Sequence, residues 1–138
     1  MIVKAIERAY TLRAQRNWDT VYYAIDLHGV CLTSNYTSDV HEFINQDAIG
    51  GLKVISDRPE TVIIIWSGLH TDQQAAVSKL FLDNGIKIDY FNENPLERNT
   101  VTGNFSDKFY FSVLLDDKAG FDPTIHWQHI IDYYLRIA

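Results

Sequence analysis

The chain contains 138 residues, of which 46% are hydrophobic and 22% are charged, and its formal net charge is −6. This composition excludes disordered, collagen-like and low-complexity chains, and the length predicts a single domain over residues 1–138. The longest apolar run, 62–66, is strand-sized, whereas a membrane-crossing helix needs roughly 18 apolar residues. We therefore expect no membrane association. The single cysteine excludes an internal disulfide framework and fits a reducing compartment.

Basic residues are concentrated at the start of the chain, where residues 1–18 carry four basic residues and one acidic residue. This segment predicts a surface helix docked through Ile2, Ala5, Ile6 and Ala9, with a transit peptide as the alternative. It contains no apolar secretory core, so we expect a cytoplasmic protein. The acidic balance of the whole chain does not favour nucleic acid as a partner.

Short apolar runs alternate with helical patterns along the rest of the chain. Continuous apolar runs are typical of strands that are buried on both faces of a parallel sheet. The alternation predicts an α/β fold, a Rossmann-like three-layer sandwich with a mainly parallel sheet. The predicted strands are 21–25, 62–66, 86–91 and 111–115, and the predicted helices are 47–57, 71–84 and a segment that begins at Asp122-Pro123.

Polar residues follow three of the predicted strands. Asp26 ends the first strand, Ser67 follows the second, and Asp116 and Asp117 follow the fourth, with Lys108 just ahead of that strand. The carboxyl ends of parallel strands meet at one edge of the sheet, so we expect these side chains to share one crevice. Clustered carboxylates repel one another unless a cation or protons hold them together, and hard oxygen ligands suit Mg²⁺.

Four motifs in this order resemble those of phosphatases in the haloacid dehalogenase (HAD) superfamily. Each motif is short and unspecific alone, but the four lie in the expected order on fitting elements between residues 19 and 123. The first resembles Asp-x-Asp-Gly-Thr/Val, the second is a strand ending in Ser or Thr, the third is a lysine, and the fourth is an apolar strand ending in paired acids. In this chain they are Asp26-Leu27-His28-Gly29-Val30, Ile63-Ile64-Ile65-Trp66-Ser67-Gly68, Lys108, and Leu114-Leu115-Asp116-Asp117-Lys118-Ala119.

The resemblance implies an enzyme, a Mg²⁺-dependent phosphohydrolase that cleaves a phosphomonoester through an aspartyl-phosphate intermediate. It implies a HAD-like fold and a role for each residue of the four motifs. The implied roles are nucleophile for Asp26, acid/base for His28, phosphate binding for Ser67 and Gly68, and charge neutralisation for Lys108. The implied Mg²⁺ ligands are Asp26, Asp116, Asp117 and the backbone carbonyl of His28, and it stays open which of Asp116 and Asp117 binds directly and which through water.

His28 departs from the family pattern, which has a second aspartate at this position. Histidine is a competent general acid or base near neutral pH, but it is longer and becomes cationic when protonated. Three outcomes stay open. His28 serves as the acid/base, it leaves a slow phosphatase with a long-lived phosphoenzyme, or the protein is a catalytically weakened Mg²⁺- and phosphate-binding or regulatory module.

Other acidic sites fit the sequence less well. Phosphoacceptor receiver domains carry their acidic pair on the first strand, whereas here the pair comes last, and a metal nuclease does not need the lysine and serine. The intervals 26–67 and 67–108 are too short for a folded cap in addition to the core helices. We therefore expect a minimal-cap protein with an open crevice for an unidentified phosphorylated substrate, or one closed by a second subunit of a homo-oligomer. Tyr36 is the aromatic residue that we expect to touch substrate.

Overall fold

A computed structural model describes residues 2–34, 40–100, 103–104 and 108–137. Tyr36, the predicted substrate contact, lies outside these residues. In chain order the described elements are α1 (Ile2–Gln15), β1 (Val21–Asp26), α2 (Gln46–Ser56), β2 (Thr61–Trp66), α3 (Thr71–Asp83), β3 (Tyr90–Phe91), β4 (Asn99–Thr100), β5 (Gly103–Asn104), β6 (Val113–Leu115), a 3₁₀ turn (Asp117–Ala119) and α4 (His126–Ile137).

The main sheet has four parallel strands in the order β3-β2-β1-β6. A separate antiparallel hairpin joins β4 and β5. The predicted parallel α/β architecture is thus confirmed, with a sheet order compatible with a Rossmann-like fold. Among the described helices, none combines the length and the apolarity that crossing a membrane requires.

One face of the sheet packs against all four described helices in a single hydrophobic core. The strands contribute alternate residues such as Tyr23, Ile25 and Ile65, which are fully buried. From α1, the core receives Ile6 and Ala9, as predicted, while Ile2 packs at its edge. The helices add the following buried residues: Ile6, Ala9, Ala48, Leu52, Ile55, Val77, Phe81, Trp127, Ile130, Tyr133 and Tyr134. Ala5 is exposed, so its predicted docking role is wrong.

On the opposite face of the sheet, Tyr22 of the central strand is covered by Glu97 and Tyr110 and not by a helix. Tyr22, which points to this face, makes a perpendicular ring contact with Tyr110 at 5.8 Å between centroids. Its hydroxyl donates to Glu97 at 3.2 Å. Glu97 and Tyr110, which belong to no helix, therefore cover the sheet at Tyr22. Since all four described helices contribute to the core on the other face, the predicted three-layer sandwich is not formed by the helices in the part of the chain that the structure describes.

The third predicted strand, 86–91, is reduced to two residues. The backbone N–H of Asp89 donates to the carbonyl of Ile63 at 2.9 Å, but the N–H of Ile63 donates to the Asp89 side chain at 2.8 Å, where a regular parallel ladder would use a backbone carbonyl. The last helix begins at His126, three residues later than predicted, because residues 123–125 form a turn ahead of it. Asp122 caps this turn, since its carboxylate accepts from the backbone and hydroxyl of Thr124 and its carbonyl accepts from the backbone N–H of His126 at 2.8 Å.

Two adjacent glycines in α2 have different environments. A Cβ at Gly51 would overlap the ring of Trp127, so this glycine lets α2 and α4 approach closely. A Cβ at Gly50 would meet only the end of the flexible Ile131 side chain, at 3.1 Å from Cδ1. Trp127 is fully buried and donates from Nε1 to the backbone carbonyl of Val30 at 2.9 Å. Gly51 therefore positions the tryptophan that holds the chain after β1.

We expect Gly51→Ala to lower the free energy of unfolding by about 1–3 kcal/mol, because the new methyl overpacks a rigid ring. Gly50→Ala is the matched control, and it should be neutral or stabilising by up to about 1 kcal/mol because alanine favours the helix. Urea unfolding of the two variants measures the difference. Equal effects of the two substitutions would contradict this account of the helix contact.

Three tyrosine hydroxyls form a chain between the helices and the sheet. The hydroxyl oxygens of Tyr23 and Tyr134 are 2.5 Å apart, and that of Tyr10 lies 3.1 Å from Tyr134. Tyr10 also donates to Glu60 at 3.2 Å, and Glu60 accepts from Nε of Arg58. Burial raises the pKa of all three tyrosines well above their usual range. The phenols therefore stay neutral in the folded protein.

This chain of hydroxyls predicts a loss of stability in alkali. Unfolded tyrosines ionise near pH 10 but the folded ones do not, so their stabilisation is complete below pH 10 and falls as the pH rises above it. Each tyrosine contributes up to about 1.4 kcal/mol per pH unit. Tyr134→Phe should flatten the fall in unfolding free energy between pH 10 and 11.5, measured by urea titration. An unchanged slope would show that Tyr134 ionises equally in both states.

Candidate active site

The register of the central strand brings the predicted acidic residues together. Asp26 pairs with Trp66 of β2, and Ile25 pairs with Leu115 of β6. Asp116 follows Leu115, so it reaches the edge of the sheet at the same level as Asp26. The carboxyl ends of both strands therefore present their acids to one place, as the sequence predicts.

Asp26, Asp116 and Asp117 form a compact carboxylate cluster. One oxygen from each lies within 4.8 Å of the others. Burial, the charge of Asp116 and a hydrogen bond shared with Asp117 raise the pKa of Asp26 to about 7. Such crowding of carboxylates is costly unless a proton or a cation compensates it. Three hard oxygen donors at this separation fit a Mg²⁺ ion that keeps several water ligands.

The turn after β1 lies against the carboxylate cluster and leaves space for one of its members. The backbone N–H groups of Cys31 and Leu32 both donate to the carbonyl of Leu27 at 2.9 Å. Gly29 has a φ of +86°, and a Cβ there would lie 2.9 Å from Oδ2 of Asp117. Only glycine permits both this backbone conformation and the close approach of the carboxylate.

Ser67 is fixed by the residue that follows β3. Its backbone N–H donates to Oδ1 of Asn92 at 2.8 Å, and its carbonyl accepts from Nδ2 of Asn92 at 2.7 Å. The Ser67 hydroxyl accepts from the backbone N–H of Leu69 at 3.1 Å. Gly68 is open, since a Cβ there would meet nothing within 4 Å. The loop between β2 and α3 thus presents a hydroxyl and unobstructed backbone beside the carboxylates.

A cavity of about 500 Å³ joins these groups at the edge of the sheet. Its walls contain two members of the carboxylate cluster and the loop after β2. The described lining residues are Asp26, Trp66, Ser67, Gly68, Asn92, Asp116 and Lys118. The lining therefore offers an anion the Ser67 hydroxyl and the Lys118 ammonium beside the carboxylates of Asp26 and Asp116.

Two residues that the sequence assigns to the site, Lys108 and His28, are not among the described residues that line this cavity. Lys108 is exposed, and its Nζ lies 5.9 Å from the ring centroid of Phe111. Lys118 takes a place on the wall instead. His28 is also absent from the described lining residues, and its ring centroid lies 6.5 Å from that of His41. Burial, followed by the proximity of His41, lowers the pKa of His28.

Asn92 and Lys118 are wall residues that the sequence prediction did not include. Asn92 follows a predicted strand at its polar end, as Asp26 and Ser67 do, so the same pattern would have identified it. Lys118 directly follows the acidic pair in sequence, where it reads equally well as a charge-balancing surface residue. Only the 3₁₀ turn at Asp117–Ala119 shows that this lysine reaches the wall.

No family model, curated protein or solved structure matches the chain. The likeness to HAD phosphatases therefore rests on the four sequence motifs.

We expect Asn92→Gly to loosen Ser67 and weaken phosphate binding by about tenfold, because two hydrogen bonds to its backbone are lost. Glycine suits the φ of +56° at Asn92, so the backbone need not change. Calorimetric titration with inorganic phosphate in the presence of Mg²⁺ measures the effect. Asn84→Ala is the control, because Asn84 caps the far end of α3 and should leave phosphate binding unchanged. Equal binding by wild type and Asn92→Gly would exclude a positioning role.

Proposed function

We propose that the protein is a Mg²⁺-dependent phosphohydrolase of the HAD type that cleaves phosphomonoesters through an aspartyl-phosphate. The observation that carries this proposal is the convergence of a carboxylate cluster with Ser67 and Gly68 around one open cavity. A simple metal-binding site would not require the adjoining hydroxyl and open backbone.

Asp26 is the proposed nucleophile. One of its carboxylate oxygens forms a bond to phosphorus as the ester P–O bond breaks, and the leaving oxygen takes a proton from the His28 imidazolium, or from solvent water if His28 does not serve as the acid. Water then attacks the phosphorus of the aspartyl-phosphate, which releases inorganic phosphate and restores Asp26. The central strand β1 holds Asp26 rigidly, so the carboxylate is positioned before substrate arrives.

Asp26, Asp116 and Asp117, with the backbone carbonyl of His28, are the proposed Mg²⁺ ligands. When bound, Mg²⁺ neutralises charge on the carboxylates and on the phosphoryl oxygens. Asp116 is held in place because its Oδ1 accepts from the backbone N–H of Lys118 at 2.9 Å. The Asp117 carboxylate lies close to Gly29, which leaves room for it because it has no side chain. A backbone group therefore positions Asp116, and the glycine lets Asp117 approach it.

Ser67 and Gly68 are proposed to bind the phosphoryl oxygens through the hydroxyl and the backbone. A cation is also needed to offset the charge of the transferring group. Lys108 is the residue that the motif order predicts for this role, whereas Lys118 is the lysine among the described residues that line the cavity. Replacing each lysine separately with methionine assigns this role, because only the contributing lysine should affect turnover strongly.

The first test is phosphate release from phenyl phosphate with and without Mg²⁺. We expect turnover in wild type that requires Mg²⁺ and falls by about a thousandfold or more in Asp26→Asn, because the nucleophile is lost. Asp57→Asn is a suitable control, since Asp57 is an exposed acid whose ion pair with Lys53 lies on α2. Turnover that survives Asp26→Asn would overturn the proposed mechanism.

A catalytically weakened binding or regulatory protein is the second candidate function. The placement of His28 favours it, because this residue is not among the described residues on the cavity wall. His28→Asp separates the two candidates. If wild type is inactive but His28→Asp releases phosphate, the scaffold binds substrate and lacks only proton transfer. If wild type is active and His28→Asp adds little, His28 already performs that step.

A further inference from the structure

We propose that an aromatic shelf, formed by Trp66, Phe109 and Phe111, makes the site selective for phosphomonoesters whose leaving group carries a planar aromatic ring. This inference rests on the proposed phosphohydrolase function and specifies its substrate class.

Trp66 occupies a distinctive place in the site. It ends β2 directly before Ser67, and it pairs in parallel register with Asp26. Side chains at paired positions of parallel strands leave the sheet on the same face, so the indole and the proposed nucleophile project to the same side. The residue is 48% exposed and lines the cavity. A large apolar surface thus lies open beside the phosphate-binding residues.

The shelf extends from Trp66 through two phenylalanines. The rings of Trp66 and Phe109 are 5.5 Å apart and tilted by 55°, and those of Phe109 and Phe111 are 6.0 Å apart. These separations are typical of attractive aromatic contacts. The next residue, Ser112, is tied to Tyr22 because its backbone N–H donates to the Tyr22 carbonyl at 2.7 Å. The shelf is therefore held from the central strand.

The composition of the cavity points to a ring rather than an alkyl chain. Among the described lining residues Trp66 alone is aromatic or large and apolar, and the others are acids, a lysine, an asparagine, a serine and a glycine. Among the described lining residues the indole is therefore the apolar surface that a substrate contacts, and Phe109 and Phe111 support it from outside the cavity lining. A planar ring gains more from a flat indole than a flexible alkyl group does, since stacking aligns two π systems.

Binding to the Asp26→Asn variant tests this inference without turnover. Calorimetric titrations with Mg²⁺ present would use inorganic phosphate, glycerol 3-phosphate, phenyl phosphate and adenosine 5′-monophosphate. We expect phenyl phosphate to bind about tenfold or more tightly than glycerol 3-phosphate, the scale of one stacked ring. Adenosine 5′-monophosphate shows whether a ring that is separated from the phosphate by a ribose also reaches the shelf. Binding of either aromatic ligand about tenfold more tightly than glycerol 3-phosphate supports the proposal.

Further substitutions in the same background identify Trp66 as the cause. Trp66→Ala should remove the preference for aromatic esters and leave the affinity for inorganic phosphate unchanged, whereas Trp66→Phe should retain part of the preference. Leu82→Ala is the matched control, because Leu82 is 70% exposed near the other end of α3 and should not affect any ligand. Thermal unfolding checks that each variant is folded. If Trp66→Ala does not fold, the comparison of Trp66→Phe with wild type still tests the proposal.

The outcomes separate this inference from the proposed function. If inorganic phosphate binds but alkyl and aromatic esters bind equally, or if the preference survives Trp66→Ala, the aromatic shelf is overturned while the phosphate site stands. If inorganic phosphate binds neither wild type nor Asp26→Asn in the presence of Mg²⁺, the proposed function is overturned, and the proposed substrate class is overturned with it.

Discussion

The parallel register of β1 between β2 and β6 is the constraint on which the site depends. It places Asp26 level with Trp66 and lets Asp116 emerge beside it. Because side chains alternate along a strand, a slip of one residue would turn the buried Tyr23 and Ile25 away from the helices. The hydrophobic pattern that holds the strand in register therefore also fixes the positions of the acids, and no separate interaction needs to bring them together.

The carboxylate cluster is maintained against its own repulsion. Backbone groups hold Asp116, and the turn at Gly29 leaves room for Asp117 to approach within contact distance. Burial, and then the charge of Asp116, raise the pKa of Asp26, so its ionised form is disfavoured unless a cation compensates it. The close contact of α2 with α4 at Gly51 positions Trp127, whose Nε1 donates to the carbonyl of Val30 in the turn that carries Gly29. Stability of the core and preorganisation of the acids are thus linked.

The sequence predicts the parts of the structure that depend on local patterns. Continuous apolar runs ending in Asp26, Ser67 and Asp116 identify both the parallel sheet and most of the cavity wall. The remaining parts depend on contacts between distant segments. One such contact is the hydrogen bond from Ile63 to the Asp89 side chain, which interrupts β3. Another is the close packing of Trp127 against Gly51, which explains why α2 contains a residue that disfavours helices. The sequence also does not assign charge neutralisation to Lys108 or to Lys118, because spacing alone does not say which lysine reaches the phosphoryl group.

The histidine at position 28 separates metal binding from proton transfer. Its predicted contribution to Mg²⁺ binding uses the backbone carbonyl, which any residue supplies, and the turn around it is fixed by hydrogen bonds from Gly29, Cys31 and Leu32. The identity of the side chain therefore need not disturb the carboxylates, while it changes the group that would exchange protons with the leaving oxygen. In the proposed function, turnover is for this reason more sensitive to His28 than phosphate or metal binding is. A fold that keeps its acids in register can retain the site while the rate of its chemistry varies widely.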